Sequence, residues 1–307
     1  MYRSREIITN KPDLILTADW HLREDQPICR IDNFWEVQWE KVDFISGLQV
    51  KYGCPIIHSG DLFNHWKPSP FLLSETIKHL PNQFYTIYGN HDLPQHNLEL
   101  AGKCGVNVLL NAGKLSVLEQ CHWGNVPTNY WEERPEDADD LLSIKQKGIL
   151  VWHVMTYTSK PWPGCTDPLA ESLLRKYPQY DLIVTGHNHQ TFWTKYEDRL
   201  LVNPGSITRQ EAGQIDFKPR VYLWYAETNT VTPVYLPISQ NVITTEHIDS
   251  VKKRDDRISA FVEQLKNEWK VGLSFEQNLE AFSKENNIEP EIMNIIYKAI
   301  ESNGKNS

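Results

Sequence analysis

FYTIYGNHD, residues 84–92, is a strand-length apolar run that stops abruptly in a glycine, an amide, an imidazole and a carboxylate. The same arrangement occurs in LILTADWH (14–21), PIIHSGD (55–61), ILVWH (149–153) and DLIVTGHNH (181–189). Short apolar runs bounded by turn-forming residues read as buried strands. With further runs at 200–203 and 221–226, they alternate with longer amphipathic stretches, which is the pattern of α/β layering.

Helices fill the intervals. The clearest covers 33–50, where Trp35, Trp39, Val42, Ile45 and Leu48 recur at helical spacing and Gly53 follows the end. A second begins near Pro70 and Phe71, and a third is expected from Pro168, with Asp167 as its N-cap. The stretch 120–140, rich in Trp, Pro, Asn and acids, reads as a surface excursion of unassigned structure.

After Pro237 the texture changes. Residues 249–270 carry Val251, Ile258, Phe261, Val262, Leu265 and Trp269 on one face of an amphipathic helix, which Gly272 interrupts. Ser274 and Gln277 form a capping-box pattern for a further helix, and Pro290 opens a last one with Ile292, Ile295, Ile296 and Ile300. The expected organisation is an α/β domain over residues 1–236 and a small helical module over 237–307.

Composition bounds the rest. The chain has 307 residues, 40% hydrophobic and 23% charged, which excludes disordered and fibrous classes. Cys29, Cys54, Cys104, Cys121 and Cys165 are widely spaced with no CxxC pair, which argues for a reducing compartment and against a thiolate metal site. No apolar run approaches a membrane span and the first residues lack a signal-peptide core, so a cytoplasmic protein without a membrane partner is expected. The net charge of −9 runs against a protein that grips phosphates by a basic surface. Carboxylates gathered around divalent cations, or a basic partner subunit, offset that objection.

In an α/β sheet the loops after strand C-termini converge on one edge, so the polar clusters meet there. Asp19, His21, Asp61, Asn90, His91, Asp92, His153, His187 and His189 then form one Asp/His/Asn cluster. Two divalent metals about 3.5–4 Å apart need a bridging carboxylate, imidazoles and hard oxygens, which this inventory supplies without sulfur. Asp61 is the expected bridge, because one carboxylate has an oxygen for each ion. A lone Gly-Asp is usually only a turn, and a single buried His153 is more often a hydrogen-bonded core residue. Their joint occurrence, in order and each after a strand, makes the metal reading the better one.

The series Asp19-x-His21, Gly60-Asp61, Gly89-Asn90-His91-Asp92, His153 and Gly186-His187-Asn188-His189 resembles the calcineurin-like metallophosphoesterase superfamily, over about residues 13–226. The resemblance implies a sandwich of two mixed β-sheets flanked by helices. It implies one metal on Asp19, His21, Asp61 and His189 and a second on Asp61, Asn90, His153 and His187, with Mn2+ expected and Mg2+, Fe2+ or Zn2+ as alternatives. It places His91, with Asp92, on the catalytic side: His91 contacts the scissile phosphate and protonates the leaving oxygen.

GDLFNHWKPSP (60–70) is similar to the second motif of SbcD-type DNA repair nucleases, and the NPGS segment 203–206 and the strand from Val221 are similar to their closing elements. This resemblance implies a DNA exo- or endonuclease subunit, Asn90, His91 and Ser206 on the substrate side, an SbcC-like SMC-type ATPase docked on the C-terminal helices, and a homodimer. For Ser206 a plain tight turn is an equally good reading. Trp20 stands where many relatives have a small residue and serves either packing or base stacking; Trp66, Trp131 and Trp162 are further stacking candidates. The competing function is a small-molecule phosphodiesterase acting on cyclic nucleotides or nucleotide conjugates, which the acidic charge favours.

Overall fold

A computed structural model describes residues 11–118, 142–268 and 274–303. The expectations for 120–140, Trp131, Cys121, Trp269 and Gly272 fall outside the described residues. By contacts the chain forms two compact units, residues 1–244 and 245–307.

The first unit holds two mixed sheets. In the six-stranded sheet the order is β11-β10-β1-β2-β3-β4, from β1 (Leu14–Thr17), β2 (Ile56–His58), β3 (Phe84–Thr86), β4 (Ser116–Val117), β10 (Arg220–Tyr225) and β11 (Thr230–Tyr235). The second has the order β5-β6-β7-β9-β8, from β5 (Leu142–Ile144), β6 (Lys147–His153), β7 (Leu182–Gly186), β8 (Phe192–Tyr196) and β9 (Arg199–Asn203). Strands β1 to β4 run parallel, as do β6, β7 and β9, while β10, β11, β5 and β8 are antiparallel additions.

Side-chain alternation explains the layers. Leu14 and Leu16 of β1 join Ile57, Val151, Val184, Leu201 and Trp224 in a core between the sheets. Ile15 points the other way and meets Trp39, Val42, Ile45 and Leu48 of α1 (Phe34–Tyr52). Helices α2 (Pro70–His79) and α3 (Gly105–Asn111) cover the same outer face, and α4 (Ala170–Lys176) lies against β8 and β9. Both sheets are thus buried on one face by the other and on the opposite face by helices, the sandwich expected from the sequence.

Helix α1 starts with the Asn33 side chain accepting from Glu36 N and ends at Gly53 with φ 55°, and α2 starts with Ser69 accepting from Leu72 N. Helix α4 corrects the expectation at Pro168. The backbone of Leu169 bridges to Tyr157 and stays extended, so the helix begins at Ala170 with no side-chain cap, and Asp167 instead accepts from Cys165 Sγ at 3.6 Å. Residues 237–244 stay with the α/β unit rather than the helical one. Lys41 Nζ donates to Pro237 O at 2.5 Å, Arg209 Nη2 to Ser239 O at 2.6 Å, and Ile243 pairs with Arg30.

The second unit contains α5 (Glu246–Glu268), α6 (Phe275–Glu285) and α7 (Pro290–Asn303). Ser274 accepts from Gln277 N while the Gln277 side chain accepts from Ser274 N, the reciprocal cap read from the sequence. Leu279, Phe282 and Met293 are buried, whereas Ile248, Val251 and Ile258 of α5 and Ile292 and Ile295 of α7 are exposed. Among the described residues no helix is long and apolar enough to cross a membrane.

Candidate metal centre

The loops after β1 and β2 continue side by side beyond the sheet. Asp19 N donates to Gly60 O at 3.1 Å, His21 N to Asp61 O at 3.0 Å and Leu22 N to Leu62 O at 2.9 Å. This pairing forces Asp19, His21 and Asp61 into left-handed backbone, with φ of 48°, 45° and 59°, and His187 adopts φ 75°. Non-glycine residues there cost about 1–3 kcal/mol each and persist only where the surroundings over-determine them. Glycine is required beside them. A Cβ at Gly89 would lie 2.2 Å from Asp61 Oδ1, and one at Gly60, whose φ is 94°, 2.6 Å from His153 Nδ1.

The strand ends bring the sequence-predicted residues together. Asp19, His21 and His189 form one group of converging ligand atoms, and Asp61, His153 and His187 form another. Asp61 stands between them, with Oδ2 3.6 Å from His21 Nε2 and 3.3 Å from His153 Nε2. Asn90 Oδ1 lies 3.0 Å from both His153 Nε2 and His187 Nδ1, and His21 Nε2 lies 3.0 Å from His189 Nε2. Asp19, Asp61 and His153 are fully or almost fully buried.

These contacts test whether cations fit. His153 Nδ1 donates to Ser59 O at 2.8 Å, so in the neutral ring Nε2 carries a lone pair and faces the acceptor oxygens of Asp61 and Asn90. Acceptors facing acceptors need a proton or a cation among them. Asp19 Oδ2 and His21 Nδ1 are also buried without a hydrogen-bond partner. An all N/O donor set of this kind fits hard or borderline divalent ions.

Electrostatics agree. Burial opposes the Asp61 charge, but the imidazoles of His153, His21 and His91 outweigh it and hold the carboxyl well below its ordinary range. For His153 burial disfavours the charged ring, yet Asp61 draws a proton onto it and raises it to about 9. Burial and the neighbouring His153 push His187 down to about 4, and burial lowers His21.

His91 stands at the exposed edge of the buried ligands: its ring centre lies 4.7 Å from that of His21, and with His21 and Asp61 it forms a further group of converging ligand atoms. It is exposed, its N donates to Asp61 Oδ1 at 2.8 Å, and its Nδ1 donates to Asn64 O at 2.8 Å, leaving Nε2 free. Asp92, expected on the catalytic side, is instead completely buried. Its oxygens accept from the backbone N–H groups of Asp61 (2.9 Å), Leu62 (3.2 Å), Phe63 (3.1 Å) and Gly89 (3.0 Å), so it shapes the loop and does not face a substrate. Ser206 likewise turns inward: its Oγ donates to Thr208 O at 2.8 Å, which selects the turn over the substrate contact.

Trp20 is buried, donates Nε1 to Thr17 Oγ1 at 2.8 Å and packs against His58 and Phe84, which is the packing role. Trp66 packs on the core beside α2, and Trp162 is exposed. The supporting residues Ser59, Asn64 and Asn203 were not anticipated. Asn203 Nδ2 donates to Asn188 O at 2.6 Å and Gln190 O at 2.5 Å and so holds the His187–His189 loop; its place after an apolar run and at the head of NPGS marks the position in the sequence, though not this role.

A sheet sandwich that carries an Asp/His/Asn cluster at its strand ends defines the class of metal-dependent phosphoester hydrolases. The chain belongs to the calcineurin-like phosphoesterase superfamily, whose domain model matches residues 42–218. Among solved structures it is similar to a novel archaeal phosphodiesterase, at 15% identity and TM-score 0.40, over 73% of this chain and 99% of that one. It is also similar to a metallophosphoesterase from Sphaerobacter thermophilus (12% identity, TM-score 0.36, 74% of this chain and 89% of that one). Vacuolar protein sorting 29 from Cryptosporidium parvum matches at 15% identity and TM-score 0.36, over 75% of this chain and 100% of that one.

Proposed function

We propose that this chain is a two-metal phosphodiesterase that cleaves DNA, working as the nuclease subunit beside an SMC-type ATPase. The observation that carries the hydrolytic part is the position of Asp61 Oδ2, 3.6 Å from one histidine group and 3.3 Å from the other. Asp19, His21, Asp61 and His189 would hold one ion, and Asp61, Asn90, His153 and His187 the other. When bound, such ions polarise the phosphate and make water nucleophilic near neutral pH. Mn2+ is the metal expected.

The protein's own groups do the rest. Ser59 O and Asn64 O fix the tautomers of His153 and His91 through their Nδ1 protons. His91 then offers Nε2 at the open side of the cluster, where an exposed imidazole is placed to protonate a leaving alkoxide. Burial of Asp19 and Asp61 excludes water from the far side of the ligands.

DNA as substrate is supported by GDLFNHWKPSP at 60–70, and the ATPase by the exposed apolar residues Ile248, Val251 and Ile258 along α5. Purified protein with Mn2+ should degrade linear duplex or single-stranded DNA, and Asp61→Asn should abolish this. Activity surviving in that variant overturns the site. The net charge of −9 favours a second reading, hydrolysis of small nucleotide phosphodiesters. Parallel assays on a cyclic nucleotide and on DNA separate the two.

A further inference from the structure

Beside the metal ligands lies a hollow of about 800 Å3, and His187 forms part of its wall. The volume falls within the roughly 300–1,000 Å3 of sites that take nucleotide-sized ligands. Its lining is mixed: the aromatic side chains Trp152, Tyr157, Trp162 and Tyr177 contribute to it, together with aliphatic and polar residues that include Asp167 and Lys176. Tyr157 and Trp162 stand edge to face, ring centres 6.1 Å apart, and Trp162 is 54% exposed although it is the largest side-chain type. An exposed tryptophan at the lip of a cavity offers a flat apolar surface that gains by being covered.

The wall is tied to the metal ligands. Asn188, between His187 and His189, donates to Thr156 O at 2.6 Å, and Ala170 N donates to Tyr157 O at 2.8 Å. The hollow therefore keeps a fixed position relative to the Asp61–His153–His187 group.

We infer that this hollow is the nucleoside subsite: it stacks the base of the nucleotide whose phosphate lies at the Asp61 centre, with Trp162 and Tyr157 as specificity-determining residues. The inference rests on the phosphodiesterase reading and adds the substrate class that the site prefers. Stacking on aromatic side chains contributes about 1–3 kcal/mol per base and is tolerant of base identity, so the subsite selects nucleosides without selecting sequence.

The test compares thymidine 5′-(4-nitrophenyl) phosphate with methyl 4-nitrophenyl phosphate, which share a leaving group and differ in the other ester. With Mn2+ the wild type should favour the thymidine ester through a lower KM, Trp162→Ala should lose that preference by on the order of 10-fold, and Trp162→Phe should keep most of it. The methyl ester, which has no base to stack, should lose far less in Trp162→Ala than the thymidine ester does. Calorimetry supplies a readout apart from turnover: thymidine monophosphate should bind the wild type more tightly than methyl phosphate does, and Trp162→Ala should remove the difference. Equal handling of the two esters, or equal binding of the two monophosphates, overturns the subsite while leaving hydrolysis at Asp61 standing. Failure to cleave either ester overturns the phosphodiesterase reading, and the binding comparison then still decides for or against the hollow. A loss of both esters in Trp162→Ala would mark that residue as structural and end the proposal.

Discussion

The carboxylate of Asp92 accepts the backbone N–H of Asp61 at 2.9 Å, so the residue expected to bridge two cations is aimed by a buried neighbour that never meets them. Leu62, Phe63 and Gly89 donate to the same carboxylate. Asparagine at 92 would keep one acceptor oxygen and turn an NH2 group toward backbone donors. Asp92→Asn should therefore lower stability by about 1–3 kcal/mol for each donor left unpaired. It should also weaken metal binding by roughly 10- to 100-fold, as the loss of an orienting partner does. Thermal unfolding with and without Mn2+ and calorimetric metal titration read both effects.

Asp61 and His91 should separate binding from chemistry. Asp61 belongs to both ligand neighbourhoods, so Asp61→Asn should lose bound metal and activity together. His91 is exposed and held by Asn64 O, outside the two buried groups proposed to bind the ions. His91→Gln should retain the metal content of the wild type while kcat falls by about 10²- to 10⁴-fold. Elemental analysis after gel filtration, beside phosphodiesterase kinetics, checks the contrast; a metal-free His91→Gln would make His91 a ligand.

The strands and the cluster were legible because each apolar run stops at a polar group, and that boundary carries both fold and chemistry. The four strands at the sheet edges, β4, β5, β8 and β11, were not. In β8 and β11, FWTKY and TVTPVY mix charged, hydroxylic and proline residues, and their exposed edge positions leave little apolar signal. Asp92 was misread for a related reason. A carboxylate beside a histidine in GNHD looks the same on paper whether it faces a substrate or four backbone amides, and only the fold of the 60–63 loop beneath it decides. The α4 start was misplaced because local capping preference at Asp167 and Pro168 yields to a nonlocal bridge between Leu169 and Tyr157.

A cation must displace a proton from His153. Asp61 raises that ring to about 9 against burial, above the roughly 6.5 of an unfolded histidine. Its contribution to the metal-free fold is complete below about 6.5 and is lost as the pH rises through about 9. Metal binding runs the opposite way, and apparent Mn2+ affinity should climb across this window by up to about 10-fold per pH unit. Chelator-treated protein should lose thermal stability between pH 7 and 8, and saturating Mn2+ should flatten or reverse the trend. An affinity independent of pH over 6.5–9 would falsify the assignment of His153 as a ligand.

Gly89 offers the sharpest steric test of the cluster. An added Cβ there meets Asp61 Oδ1 at 2.2 Å, Asp61 N at 2.4 Å and Asp61 Cγ at 2.7 Å, two side-chain atoms and one backbone atom of the same residue. The Asp61 loop has little freedom to give way, because its amides are bound by Asp92 and its carbonyls by the loop after β1. Gly89→Ala should thus cost about 1–3 kcal/mol and should displace the one carboxylate shared by both ligand groups. Gly47, in the middle of α1, has open space within 4 Å of an added Cβ, so Gly47→Ala should be neutral or stabilising by up to about 1 kcal/mol. Comparing the two variants by denaturant unfolding and Mn2+ titration isolates the effect of crowding Asp61 from the generic effect of replacing a glycine. Retention of full metal affinity in Gly89→Ala would show that Asp61 does not sit between the ions.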